Sequence, residues 1–290
     1  MNSRATPGGA ARVEGTTPQS AVNARAIDRR PNAGVSSTIT GSHAPRRRSV
    51  LLLGVRVDAL SIEETVEAVR TMVRSGVPHQ HVGVNAALLV ESERDPELRD
   101  VINGCDLVNA DGMSAVWAGR LFGRPLPERV AGVDLFQRLV EVAHRDESSV
   151  YFLGAADDVV EKVATVFSER HPGLRIAGYH NGYWRDDAEV VDAVRSARPD
   201  YLFLAIPSPR KELWLNRNLD KLGVPFVMGV GGSFDVVAGK VRRAPRWVQT
   251  MGFEWAWRLG QEPRRMWRRY LFSNAAFLRS LAREYWQTVR

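Results

Sequence analysis

The sequence predicts an α/β fold, a Rossmann-like and mainly parallel sheet with helices on both faces, followed by a helical C-terminal appendage rich in Trp and Arg. Three observations carry this expectation. Short, nearly continuous apolar runs such as SVYFLG (149–154) and DYLFLAI (200–206) read as strands buried on both faces. Amphipathic stretches of helical period separate them. Gly, Pro, Asn and Asp mark the boundaries, so the chain alternates strand and helix as parallel sheets require.

Taken in order, VLLLGVRV (50–57) reads as one strand, and SIEETVEAVRTMVRSG (61–76) as a helix. Ser61 and Glu64 form a capping box at its start, and Gly76 stands at its end. A short strand at HVGVN (81–85), a helix over 86–104 and a strand at DLVNA (106–110) follow. Helices from Met113 to about Phe122 and over DLFQRLVEVAHR (134–145) lead to the strand SVYFLG. The run is completed by helix 157–171, strand LRIAGYH, helix 187–197, strand DYLFLAI, helix 210–222 and strand PFVMGV (225–230).

Both ends differ from this body. Residues 1–48 are rich in Ala, Gly, Ser, Thr, Pro and Arg without a period of two or 3.6 residues, and read as a disordered basic leader. Residues 242–290 carry five of the eight Trp, with Arg at helical spacing and Pro263 as a break. That combination suits a bilayer interface, where rings sit at headgroup depth and Arg meets phosphate; rings packed on the sheet domain beneath a solvated Arg face fit the pattern equally. The body, 49–241, is then the catalytic domain.

Composition excludes several classes. At 290 residues and 44% hydrophobic content the chain can bury a substantial core. Its single cysteine, Cys105, rules out a disulfide framework and a Cys-rich zinc site. No apolar run approaches the roughly 20 residues needed to cross a bilayer, and no stretch resembles a signal peptide. A cytoplasmic protein is expected, with any membrane contact peripheral. The net charge of +7 is unevenly distributed, with eight Arg against two acids before residue 49 and eleven Arg against three acids after 241. The acidic body between them argues against nucleic acid as a partner.

In parallel sheets ligands bind at the carboxyl ends of strands. That rule selects Asn85, Asp111, Gly154, Pro207, Ser208 and Gly231 to Asp235. The glycine fingerprint of dinucleotide-binding enzymes is absent, as is the phosphate-binding loop with Gly-Lys-Ser/Thr, so neither cofactor chemistry is implied. Locally, Asp111 before Gly112 fits a turn or helix cap as readily as a catalytic acid. Asn109 beside it is read as a turn residue. The histidines, His81 and His180 among them, show no ligand spacing.

A series of segments nevertheless recurs together: VNAALLVESERDPELR, DLVNADGMSAVWAGRLFG, LPERVAGVDLF, YFLGA, HNGYW, SPRKELW and GVGGSFDVVAGKVRRAPRWVQTMGFEWAWRLGQEPRR, then RRYL. In order and content, from about Leu52 to Leu271, they resemble the WecG/TagA/CpsF glycosyltransferases of bacterial surface-polysaccharide and teichoic acid assembly. The resemblance implies an inverting, metal-independent transfer of a hexose-type sugar from a UDP-sugar to a polyprenyl-diphosphate-linked sugar at an anionic membrane surface. No cofactor is implied, and a homo-oligomer is left open.

The same resemblance implies roles. Asp111 matches the family's proposed general base, and Arg129 matches its Arg near the active site and is the choice to face the leaving diphosphate, although Arg129 could instead pair with Glu128 or a neighbour. Asn85, Lys211, Glu212, Gly231 and Asp235 fall at the donor site, where Asn85 could also cap the following helix. Arg258, Arg265 and Arg268 fall where the acceptor diphosphate and membrane are met. Two departures stand out. Gly83 replaces a common Thr, and Lys211 replaces a common Gln. They favour a donor other than the family's N-acetylmannosamine, such as glucose or a uronic acid whose carboxylate Lys211 could pair with. A non-catalytic nucleotide-sugar or lipid-binding module of the same fold is the alternative reading.

Overall fold

Six parallel strands form the centre of the protein in a computed structural model that describes residues 48–261 and 263–289. The side chains of residues 258, 263–266, 268–271, 288 and 289 lie outside the described residues, as does the expected leader but for Arg48. Residues Pro45–Arg290 form one compact unit.

The first expected strand is instead a hairpin. β1 (Ser49–Leu52) and β2 (Val55–Asp58) pair antiparallel as a separate two-stranded sheet. Leu53 and Gly54 between them adopt φ 49 and 78, the two positive values of a tight hairpin turn, which an apolar run conceals. The hairpin is tied to the main sheet through Asp58, whose Oδ2 accepts the Val108 N–H at 2.9 Å.

Helix α1 (Ile62–Ser75) starts at the expected capping box and leads into β3 (His79–Val84). The next expected helix is two, α2 (Ala86–Arg94) and α3 (Pro96–Gly104). Pro96 lacks the N–H that a continuous helix would use, and Asp95 instead caps α3 by accepting the Leu98 N–H at 3.1 Å. After β4 (Leu107–Ala110) come α4 (Met113–Leu121), α5 (Gly132–Arg145), β5 (Ser149–Gly154), α6 (Asp157–Arg170) and β6 (Arg175–His180). Then follow α7 (Asp187–Ala197), β7 (Tyr201–Ala205), α8 (Arg210–Leu222), β8 (Phe226–Gly229) and the short α9 (Ser233–Val237). The strand order is β4-β3-β8-β7-β5-β6, parallel throughout. The last strand along the chain, β8, is thus inserted between β3 and β7, and their carboxyl ends are brought side by side.

One face of the sheet packs on α1, α5 and α6 around Phe136, which lies edge-on to Phe203 with centroids 4.7 Å apart. The other face packs on α7 and α8 through Trp214, Leu215 and Leu222, and on α2 and α3 through Leu89, Leu98 and Ile102. This two-sided burial is why the strands read as apolar runs rather than as alternations.

The C-terminal segment forms α10 (Arg246–Thr250), α11 (Glu254–Gln261) and α12 (Pro263–Val289). Pro263 opens α12, a position that tolerates its missing N–H. Ala276, Phe277 and Leu281 of α12 are buried in the cluster that includes α2, and Ser280 and Arg283 both bond Glu93. The other aromatics of the segment whose side chains are described are not buried, with Trp247 65% and Trp286 64% exposed. No helix among the described residues is long and apolar enough to cross a membrane.

Candidate active site

The carboxyl end of β4 delivers Asp111, and three backbone contacts fix its surroundings. The Asp111 N–H donates to Val84 O of β3 at 2.9 Å, and the Val130 N–H donates to Ala110 O at 2.9 Å, so the segment after α4 returns along the strand end. That return places Gly132, the first residue of α5, where its N–H donates to Asp111 Oδ1 at 2.6 Å. Asp111 therefore does cap a helix, but α5 rather than the α4 that follows it; α4 has Gly112 at its N-cap and no side-chain cap. The start of α5 has no side-chain cap of its own, so the carboxylate satisfies one of its free N–H groups. Oδ2 has no hydrogen-bond partner among the described residues. One oxygen is anchored and the other is not.

Packing around this carboxylate is close. A Cβ on Gly83 would lie 3.1 Å from Asp111 Cβ, and a Cβ on Gly112 would lie 3.1 Å from Asn85 Cβ. Asn85 and Asp111 are thus neighbours across the ends of β3 and β4. Asn85 caps α2, its Oδ1 accepting the Leu88 N–H at 3.1 Å, so the expected capping role is realised, and its amide nitrogen has no hydrogen-bond partner among the described residues. The missing side chain at Gly83 leaves Asp111 uncrowded on that side.

Arg129 pairs with Glu254 of α11 rather than with Glu128; Nη1 lies 2.8 Å from Oε2, and both side chains are largely buried. Glu128 instead accepts the Ile62 N–H at 2.7 Å. Glu254 also faces Arg243, which makes a two-pronged ion pair with Asp134 in the first turn of α5. Burial opposes the Arg243 charge, but Asp134, Glu254 and the nearby Asp111 outweigh it and hold the guanidinium above its ordinary range. Four alternating charges, Asp134–Arg243–Glu254–Arg129, thereby join the rim of the strand ends to the C-terminal helices. Of these only Arg129 is expected from sequence. Asp134 and Arg243 lie inside the recurring segments, yet nothing local marks them as partners.

A second group sits at the end of β8. The Lys211 stem runs over Gly229, where a Cβ would come within 2.8 Å of Cδ, and Gly231 follows with φ 51. Lys211 Nζ is already engaged, by Ser208 Oγ at 2.7 Å and by Glu212 Oε1. Ser208 Oγ donates to the same Glu212 oxygen at 2.9 Å, and Glu212 is only 1% exposed. A donor carboxylate at Lys211 would therefore have to compete with Glu212. Asp235 lies in the first turn of α9, partly exposed, with its backbone carbonyl accepting the Val241 N–H at 3.1 Å. Of Arg258, Arg265 and Arg268 only the helical backbone is described; their side chains lie outside the described residues.

Two residues given no chemistry in sequence terms form a buried support beneath the site. Asn109 is not a turn residue but a fully buried member of β4. Its Oδ1 lies 3.0 Å from His81 Nε2, and its Nδ2 donates to Thr65 Oγ1 at 3.1 Å. Burial, opposed by the Asn109 hydrogen bond and aided by the Lys211 charge, lowers the His81 pKa from 6.5 to about 4, so the ring is neutral at pH 7.

A parallel α/β sheet with a half-anchored carboxylate and partly buried cations along its strand-end edge has parts that a group-transfer enzyme can use. Comparison with known proteins makes the class specific. Residues 50–290 match the family model described as Glycosyl transferase WecG/TagA/CpsF family. The chain belongs to this family and is a glycosyltransferase. Among its relatives is the N-acetylglucosaminyldiphosphoundecaprenol N-acetyl-beta-D-mannosaminyltransferase of Bacillus spizizenii, 35% identical over 190 residues, which span 66% of this chain and 74% of the relative. The enzymes of the same name from Bacillus subtilis and Staphylococcus aureus are 34% and 28% identical, over 65% and 71% of this chain and 73% and 82% of their own.

Proposed function

We propose that this enzyme moves a hexose-type sugar from a UDP-sugar, with inversion and without a metal, to a polyprenyl-diphosphate-linked sugar in cell-surface polysaccharide synthesis. The observation that carries the reading is Asp111, fixed by Gly132 through one oxygen and open at the other. Asp111 Oδ2 takes the proton of the acceptor hydroxyl as that oxygen attacks the anomeric carbon. The bond from that carbon to the donor diphosphate breaks, and its electron pair leaves with UDP. Arg129 faces the charge that develops there.

Asn85, Lys211, Gly231 and Asp235 line the donor side, with Glu212 as the buried counter-ion that orients Lys211. The relatives are named for N-acetylmannosaminyl transfer to a diphosphoundecaprenol-linked sugar, which supports the acceptor class. Gly83 and Lys211 support a different donor, glucose or a uronic acid. Residues 49–241 act as the catalytic domain, and 242–290 bind membrane and acceptor through Arg258, Arg265 and Arg268. The exposed Trp247, Phe253, Phe272 and Trp286 support a peripheral site on the inner membrane face.

The test incubates the purified protein with a panel of UDP-sugars and lipid-diphosphate acceptors, with chelator present, and identifies the glycolipid by mass. A single preferred donor with inverted linkage is expected. Binding of UDP-sugar without transfer from any donor would replace the reading with that of a binding module. A Lys211→Gln variant that keeps the parent's donor ranking would remove Lys211 from donor selection.

A further inference from the structure

Glu254 is placed unlike any other charge at the site. It belongs to the first turn of α11, outside the sheet, yet one of its oxygens occupies the cation that the transfer reading assigns to the leaving diphosphate. With only 14% and 18% of the two side chains accessible, Arg129 has little free surface while Glu254 holds it. A diphosphate approaching Arg129 meets this carboxylate first, and two anions on one guanidinium repel.

A second position for Glu254 already exists. Arg243 Nε is buried and makes no hydrogen bond, although the other nitrogens of its guanidinium are committed to Asp134. A carboxylate oxygen across from it, Glu254 Oε1, is 3.7 Å away, close enough for attraction but too far for a hydrogen bond. A buried donor left unsatisfied is costly, and a short movement of Glu254 away from Arg129 would satisfy it.

We propose that Glu254 is a positioning residue with two sites, holding Arg129 in the substrate-free enzyme and moving to Arg243 when a diphosphate takes Arg129. This rests on the reading of Arg129 as the diphosphate cation. Because Glu254 rides on α11, the exchange shifts the C-terminal helices each time a diphosphate enters or leaves. Binding in the strand-end cleft and placement of the membrane-facing segment thus become one equilibrium, with a coupling that acts in both directions.

The test measures the dissociation constant of inorganic pyrophosphate, and of UDP, for the full chain by calorimetry. Glu254→Gln removes the competing anion while keeping the side-chain shape, and pyrophosphate should bind on the order of fivefold tighter. Glu254→Asp, one methylene too short to reach Arg129 in this geometry, should give part of the same gain. Arg129→Gln should weaken binding and abolish the gain when combined with Glu254→Gln. Damage to packing would weaken binding, so a gain is not a general effect of a disturbed site. Unchanged or weaker binding in both Glu254 variants, or no binding in any variant, overturns the proposal. The transfer reading fails separately: an enzyme showing the Glu254→Gln gain but making no glycolipid retains the switch and loses the reaction. One that transfers sugar without that gain retains the reaction and loses the switch.

Discussion

The strand-end rim and the C-terminal helices are both rich in polar and aromatic groups, but they use them in opposite ways. At the rim the fold binds many polar groups, from the Gly132 N–H on Asp111 to the Thr65–Asn109–His81 chain beneath it, while Asp111 Oδ2 and the buried Glu212 Oε2 and Arg243 Nε have no hydrogen-bond partner among the described residues. In α10 to α12, large rings such as Trp247, Phe272 and Trp286 face outward, and burial is concentrated at Ala276, Phe277 and Leu281. Buried bonds of the kind found at the rim hold side chains in place. The C-terminal segment instead leaves apolar area uncovered. The two regions touch through the Arg129–Glu254 pair, the Glu93 bonds, the Phe277 packing and the close approach of Gly252 to Trp117.

The strongest way to sharpen this contrast is Asp111→Asn. The amide oxygen can still accept the Gly132 N–H, so thermal unfolding should be unchanged, while the rate of glycolipid formation falls roughly 10²- to 10⁴-fold. A rate within about tenfold of the parent, well short of that range, would remove Asp111 as the base. Next in size is Phe277→Ala, expected to cost about 3 kcal/mol or more of local stability by opening a cavity under α12. Hydrogen exchange should then speed up in α12 and α2 but not in β5 and β7. Loss of protection in those strands as well would mean that the two regions unfold as one unit.

His81 probes the rim from beneath. Its folded pKa of about 4 lies below the ordinary 6.5, so the unfolded chain takes up the proton first as pH falls. The stability contributed by the neutral ring is complete above pH 6.5 and declines towards pH 4, by about 3 kcal/mol across that window. Denaturant midpoints should follow this slope in the parent and lose it in His81→Gln; an unchanged slope would place the acid sensitivity elsewhere. The smallest stability effect is expected at Trp247→Ala. With the ring 65% exposed, unfolding should move by no more than about 0.5 kcal/mol, yet sedimentation with anionic vesicles should weaken. Equal vesicle binding by parent and variant would separate this ring from the membrane.

Much of the rim is legible in the amino-acid sequence. Strand ends select Asn85, Asp111, Ser208 and Gly231, because in parallel sheets the loop after each strand always emerges on the same edge. The capping box at Ser61 and Glu64 and the start of α12 at Pro263 are equally local. Less legible are features whose signal is shared with something commoner. Leu53-Gly54 lies within an apolar run, so a hairpin looks like one strand. Asp95-Pro96 lies within a helical period, so two helices look like one. Asn109 stands before an Asp-Gly pair, where Asn is ordinarily a turn residue.

Residue period, capping chemistry and ordered motifs are enough to define the α/β class, most of the succession of strands and helices, and the family. Each of these signals acts over a few positions of the chain. Which charges meet is settled only by the packed molecule. Gly132 reaches Asp111 across 21 residues and Glu254 reaches Arg129 across 125, distances over which no periodicity carries information. The return of the segment after α4 along the end of β4 brings Gly132 to Asp111, and the packing of α11 against that segment brings Glu254 to Arg129. That is why Arg129 can be chosen from its segment, while its partner is found only in three dimensions.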